Sequence, residues 1–127
     1  MKKIIFLFLS FLAIQLAGSH LSAQELNKKE VISPKKFKKL SKKKNTVILD
    51  VRTLEEYSSA HIPGAVLIDV QQPDFETKVQ ELDRSKTYLV YCRSGKRSET
   101  AALKMKAMGY RIYNLQGGIE NWKGKTE

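Results

Sequence analysis

Two short runs constrain the fold of this chain more than any other feature. Thr46-Val47-Ile48-Leu49-Asp50-Val51 and Thr87-Tyr88-Leu89-Val90-Tyr91 are β-branched, aliphatic or aromatic almost without a break, instead of alternating with polar residues. A strand that is apolar on both sides must be covered on both sides, as a central strand of a parallel sheet is. Residues 65–68 and 111–115 read as further strands, and residues 25–32 as an edge strand. Helix signals lie between them. Ser33-Pro34 pairs a capping residue with a proline suited to the first helical position, opening a helix to about Lys42. Residues 54–60 read as one or two helical turns. Phe75, Val79 and Leu82 recur at helical spacing within residues 74–82. Ala101, Met105 and Met108 do the same after Arg97, with Gly109 placed to end that helix. Strand and helix alternate throughout, which predicts an α/β fold: three layers, with a central parallel sheet of four to five strands and helices on both faces.

The chain ahead of this region is of another kind. Lys2 and Lys3 precede residues 4–17, which are apolar apart from Ser10 and Gln15, and small residues follow at Gly18-Ser19 and Ser22-Ala23. A basic start, a short apolar stretch and small residues at its end are the parts of a secretory signal peptide. Spanning a bilayer takes about 20 apolar residues, more than this stretch offers. The expectation is a signal peptide at residues 1–23, cleaved after Ala23 or after Ser19, and one domain at residues 24–127. That domain is then exported, to a periplasm or out of the cell, with no stable membrane insertion after cleavage.

The formal charge of +10 is concentrated: between Lys28 and Lys44 nine lysines face one acid, Glu30. Phe37 and Leu40 give that helix an apolar stripe, so the lysines read as its solvated face. No groove-reading motif or pattern of stacking aromatics accompanies the charge, and nucleic acid is not an expected partner. The methionines read as core, no metal site or cofactor is implied, and the domain is expected to be a monomer.

The chain has one cysteine, Cys92, so no intrachain disulfide can form. A lone cysteine is either a small buried hydrophobe or a reactive thiol, and its neighbours decide. Cys92 stands where a strand ends and a helix begins, the position at which open α/β sheets bind ligands. The unpaired amides of the loop and first helical turn favour an anion there, as does the helix dipole. Arg93, Lys96 and Arg97 add positive charge within five residues. Lowering a free thiol's pKa of about 8.5 by two units takes about 2.7 kcal/mol of differential stabilisation. A helix terminus supplies about 0.3–2 kcal/mol of this. Amide hydrogen bonds and cations are expected to supply the rest.

With these residues in place, the chain over residues 30–125 resembles the rhodanese, or thiosulfate sulfurtransferase, homology domain. Leu49-Asp50-Val51-Arg52 with Glu55-Glu56-Tyr57 resembles the family's strand-and-helix signature. His61-Ile62-Pro63-Gly64-Ala65 resembles its turn motif, although Ala60 stands where a glycine usually precedes the histidine. Cys92-Arg93-Ser94-Gly95-Lys96-Arg97-Ser98 resembles its active-site loop, and Gly117-Gly118 followed by Trp122 its terminal signature.

The resemblance implies that Cys92 takes sulfur from a small anionic donor such as thiosulfate, holds it as a persulfide and passes it to a thiophilic acceptor, or to a sulfur-accepting protein. It implies that amides from Arg93 to Ser98 cradle the persulfide, including those of Ser94 and Gly95. Arg93, Lys96 and Arg97 would attract the donor, with Arg97 its direct contact, while Ser98 is either a hydrogen-bond donor or a helix cap. Asp50 and Arg52 are secondary candidates, better read as forming a structural ion pair with Glu55 or Glu56. His61 is better read as a hydrogen-bonded structural residue than as a base. A related class uses this fold for phosphatase or arsenate-reductase chemistry, with five residues between cysteine and arginine. Here four residues separate Cys92 from Arg97 and Ser98 takes the arginine's place, so the loop suits sulfur better than a tetrahedral oxyanion.

Overall fold

The computed structural model describes residues 25–127. The expected signal peptide at residues 1–23 lies outside the described residues. Among the described residues no helix is long and apolar enough to cross a membrane. The elements follow in the order β1 (Val31–Ile32), α1 (Pro34–Ser41), β2 (Thr46–Asp50), α2 (Leu54–Ser59), β3 (Val66–Leu67), α3 (Phe75–Gln80), β4 (Thr87–Tyr91), α4 (Lys96–Ala107) and β5 (Arg111–Leu115), closed by a single 3₁₀ turn at Ile119–Asn121. They form one five-stranded sheet of order β1-β5-β4-β2-β3, parallel at every pairing.

The two continuous apolar runs are the neighbouring inner strands β2 and β4, paired from Thr46 with Thr87 to Asp50 with Tyr91. Successive side chains of a strand point to opposite faces, so each run feeds two cores. Leu49, Tyr88, Val90 and Ile112 face one side, where Phe75 and Val79 of α3 and Ala101, Ala102 and Met105 of α4 cover them. Leu89, Tyr91 and Leu115 face the other, beneath Phe37 of α1, Tyr57 of α2 and Trp122. The predicted three-layer α/β arrangement is therefore the one observed.

The outer elements are shorter than their sequence runs suggest. The edge strand β1 keeps two residues, because the Asn27 side chain accepts from the amides of Lys29 and Glu30 and bends the preceding segment into a turn. Helix α1 begins as its capping pair predicts: the Ser33 hydroxyl accepts from the Lys36 amide at 3.2 Å, with Pro34 at the first position. Phe37 is its one fully buried side chain, packed edge-on against Trp122 at 5.8 Å and Tyr91 at 6.4 Å. The lysines of this helix lie on its solvent side, as their spacing around Phe37 requires.

Phe37 is therefore the main anchor of α1, with Leu40 packed partly against the same core. Phe37→Ala is expected to cost about 3–5 kcal/mol of stability, the usual range for emptying an aromatic site in a core, read as a lower midpoint in urea denaturation. A loss below about 1 kcal/mol would show that the lysine-rich helix is held by something other than this contact.

Candidate active site

Strands β2 and β4 lie side by side, and the chain leaves them in opposite directions. After β2 it passes through α2 to β3; after β4 it passes through α4 to β5 on the other side. Helices α2 and α4 pack on opposite faces of the sheet. This reversal leaves a crevice beyond the carboxyl ends of the two strands, the usual ligand position in open α/β sheets. Cys92 follows β4 directly at this point, and Arg52 follows β2 two residues beyond Asp50.

Cys92 is 1% exposed, and its sulfur sits inside a ring of donors. The Gly95 amide donates to Sγ at 3.1 Å and the Ser98 hydroxyl at 3.2 Å. Gly95 caps α4 with φ at +107°, a left-handed turn that glycine adopts freely. Ser98 Oγ also lies 3.1 Å from the Gly95 carbonyl oxygen. Its one proton thus has two acceptors, and an ionised sulfur competes for it better than a neutral one. Burial pushes the Cys92 thiol up. The Ser98 hydroxyl and the amides of Ser98, Gly95 and Ser94 outweigh that and bring it below its ordinary value.

The loop cations, expected to help stabilise the sulfur, are turned mainly toward carboxylates. Arg93 is turned outward and donates to Glu120 at 2.9 Å. Lys96 is exposed at the first position of α4. Arg97 grips Glu56 with two hydrogen bonds, at 2.6 and 2.8 Å. The sulfur is served by amides and a hydroxyl, while two of the three cations are held by carboxylates. Ser98 is resolved as a donor to Sγ; the capping position belongs to Gly95.

The ion pair expected between Asp50 or Arg52 and Glu55 or Glu56 is corrected by the structure. Asp50 and Arg52 pair with each other, Nε at 3.0 Å from Oδ1 and Nη2 at 2.7 Å from Oδ2. Residues two apart at the end of a strand point the same way, which brings them together. Both are buried, and Tyr91 completes the network by donating to Asp50 Oδ2 at 2.6 Å while accepting from the Ile62 amide at 3.0 Å. Burial and the adjacent Asp50 carboxylate push the Tyr91 phenol well above its usual range. Arg52 stacks over the Tyr91 ring and donates to the Ala60 carbonyl at 2.7 Å. Ala60 itself has φ at −165°, extended backbone open to any residue, so no glycine is needed there. The network ties β2 to β4 at the base of the crevice.

His61 is tied into the fold. Its ring stacks on Tyr57 at 3.8 Å, Nδ1 lies 2.8 Å from the Tyr57 carbonyl oxygen, and its backbone exchanges hydrogen bonds with Glu127. Thr53 and Asn114 also matter, which sequence reasoning had not assigned, and Glu56 and Gly118 have roles it had not foreseen. Thr53 and Glu56 form a reciprocal capping box at the start of α2, which places Glu56 to receive Arg97. Thr-x-x-Glu was a legible signal for it. Asn114, next to β4 on β5, reaches the Gly95 carbonyl at 3.3 Å. Gly118 lies against the loop, where an added Cβ would sit 2.6 Å from the Cys92 carbonyl oxygen. Its absence lets the amides of Ile119 and Glu120 bond the carbonyls of Cys92 and Arg93 at 2.9 and 3.2 Å.

The fold and site define an open parallel α/β domain that presents one buried, hydrogen-bonded cysteine at its switch point. Comparison with known proteins makes this specific. The rhodanese-like domain family matches residues 33–125, and the chain belongs to that family. It is similar to the putative sulfur carrier protein YrkF of Bacillus subtilis, 39% identical over 112 residues, covering 87% of this chain and 59% of that protein. It is 31% identical over 99 residues to the putative sulfurtransferase YtwF of the same organism, covering 78% of this chain and 94% of YtwF. The thiosulfate sulfurtransferase GlpE of Coxiella burnetii is 34% identical over 85 residues, covering 66% of this chain and 78% of GlpE. Among solved structures, a rhodanese-like domain protein from Staphylococcus aureus superposes with a TM-score of 0.68 at 29% identity, covering 77% of this chain and 96% of that one.

The Glu56–Arg97 pair sets a pH dependence. Arg97 holds the Glu56 carboxyl at about 2, below the ordinary 4.5. A carboxyl depressed on folding stabilises fully above its unfolded value and loses that contribution as pH falls through the folded one. Glu56→Gln keeps a side chain able to complete the capping box but removes this charge. The difference in Tm between the two proteins should be widest above pH 4.5 and close toward pH 2. A difference that stays constant over that range would show that the pair adds no stability.

Proposed function

We propose that this chain is a sulfurtransferase that moves sulfane sulfur from thiosulfate or a related donor to a thiophilic acceptor through a persulfide on Cys92. The ring of donors around Sγ carries this reading, because it lowers the thiol's pKa despite burial. A thiolate is the nucleophile that sulfur transfer requires. In the first half-reaction the Cys92 thiolate attacks the outer sulfur of thiosulfate. The new S–S bond forms as the bond to the sulfonate sulfur breaks, and sulfite leaves with the electron pair. The charge of −3 is the same on both sides. In the second, an acceptor nucleophile takes the outer sulfur and the Cys92 thiolate is regenerated, so no external oxidant or reductant enters. The amides of Ser94, Gly95 and Ser98, which lower the thiol, also stand ready to hold the persulfide anion. Thiosulfate as donor is supported by the name of the relative GlpE.

A second reading, a carrier that is loaded slowly and delivers sulfur to a partner protein, is favoured by the similarity to a protein named as a putative sulfur carrier. It uses Cys92 identically. Either activity would be exercised after export, if residues 1–23 are removed as their composition suggests.

Incubation of residues 24–127 with thiosulfate or inorganic polysulfide, followed by intact-mass measurement, should show a gain of one sulfur atom that Cys92→Ser abolishes. Addition of cyanide should then return the original mass with release of thiocyanate. Absence of the gain with both donors would contradict the proposal.

A further inference from the structure

The approach to Cys92 is not a positive funnel. Arg52 is held by Asp50 at 2.7 Å, Arg93 by Glu120 at 2.9 Å and Arg97 by Glu56 at 2.6 Å. Arg97 also feels the charge of Cys92 and, after it, that of Asp69. Glu55 and Lys96 form no ion pair among the described residues; Glu55 lines the same cleft as Arg52 and Arg93, whereas Lys96 lines a separate pocket with Ser94 and Gly95. Each of the three guanidiniums is thus matched by a carboxylate, and the Cys92 thiolate adds one more negative charge. A dianion such as thiosulfate meets net repulsion on the way to an anionic nucleophile. Each unit of charge brought to about 5 Å from the thiolate costs roughly fourfold in rate even at the dielectric of water, and more in a cleft.

Space points the same way. Beside the loop, with Arg93 in its wall, lies a cleft of about 510 Å³ that Ala60 and Ile119 line with aliphatic surface and Glu55 and Glu120 rim with carboxylates. Cys92 itself is not part of that lining, but Arg93, the next residue, is. This volume exceeds what a small inorganic anion occupies and matches the lower range of organic-ligand sites.

Resting on the sulfurtransferase reading above, we propose that the donor is an organic persulfide, R–S–SH, whose R group is neutral or cationic and lies in this cleft, and that Glu55 and Glu120 determine that preference. The Cys92 thiolate attacks the outer sulfur and the S–S bond to it forms. The bond from that sulfur to R–S breaks, and R–S⁻ leaves with the bonding pair. The proton of the outer sulfur passes to R–S⁻, giving R–SH and the Cys92 persulfide anion. One negative charge stands on each side, and no further reactant is consumed.

The experiment loads residues 24–127 with the persulfides of cysteamine, 2-mercaptoethanol and 3-mercaptopropionate, and with thiosulfate, at low ionic strength. Persulfidation is followed by mass, and each rate is divided by that of a cysteine-containing model peptide to remove intrinsic reactivity. The normalised rates should fall in the order cationic, neutral, anionic, thiosulfate, by about three- to tenfold for each unit of charge. Glu55→Gln with Glu120→Gln should compress that order and raise the thiosulfate rate, and about 0.5 M salt should do the same by screening. Both glutamates are exposed, so the fold does not depend on them. Thiosulfate outpacing the cysteamine persulfide after normalisation, or an order unchanged in the double variant, would overturn the preference and leave sulfur transfer standing. No loading of Cys92 by any of the four donors would overturn the sulfurtransferase reading beneath it.

Discussion

The hydrogen bonds donated to one buried sulfur organise this end of the molecule. Burying a thiolate is unfavourable, because a charge taken from water must find other partners. The Cys92 sulfur finds them in the Gly95 amide and the Ser98 hydroxyl, with the amides of Ser94 and Ser98 also directed to it. Hydrogen bonds to a charged group contribute about 1.5–3 kcal/mol each. Two or three of them are enough to reverse the effect of burial on a single thiol. The cations contribute less than their proximity in sequence suggests, since the guanidiniums of Arg93 and Arg97 are directed at carboxylates.

Such a ring works only if its loop is held in place, and three elements do this. From below, Asp50, Arg52 and Tyr91 join the ends of β2 and β4, so the strand that delivers Cys92 is fixed to the strand that delivers Arg52. Across the switch point, Glu56 on α2 holds Arg97 on α4, bridging helices on opposite faces of the sheet. From the side, the segment after β5 bonds the first two carbonyls of the loop, an approach that Gly118 alone permits. Removing one partner of a buried ion pair costs about 3–5 kcal/mol. The Asp50–Arg52 pair is for that reason a structural requirement of the site.

Much of this was legible in the residues. Strands at residues 87–91 and 111–115 coincide with the runs read from the sequence. The cap at Ser33-Pro34 was readable from the pair itself. The edge strand at residues 25–32 was over-read, since an asparagine side chain bending its own backbone leaves no trace in hydropathy. The pairing of Asp50 with Arg52 had a signal in their spacing of two on a strand, which the nearby glutamates obscured. The grip of Glu56 on Arg97 had none: those residues lie 41 positions apart, and only the switch in strand order brings them together. Composition likewise suggested a cationic site, whereas the geometry shows cations spent on neighbouring acids.

The account depends on the sulfur being an anion at neutral pH. Its most direct test is the titration of Cys92, followed by thiolate ultraviolet absorbance and by the rate of alkylation with iodoacetamide against pH. Ionisation is expected clearly below the value of about 8.5 for a free cysteine, with Ser98→Ala shifting it upward. A thiol that ionises at or above the free-cysteine value, unmoved by that substitution, would contradict the account.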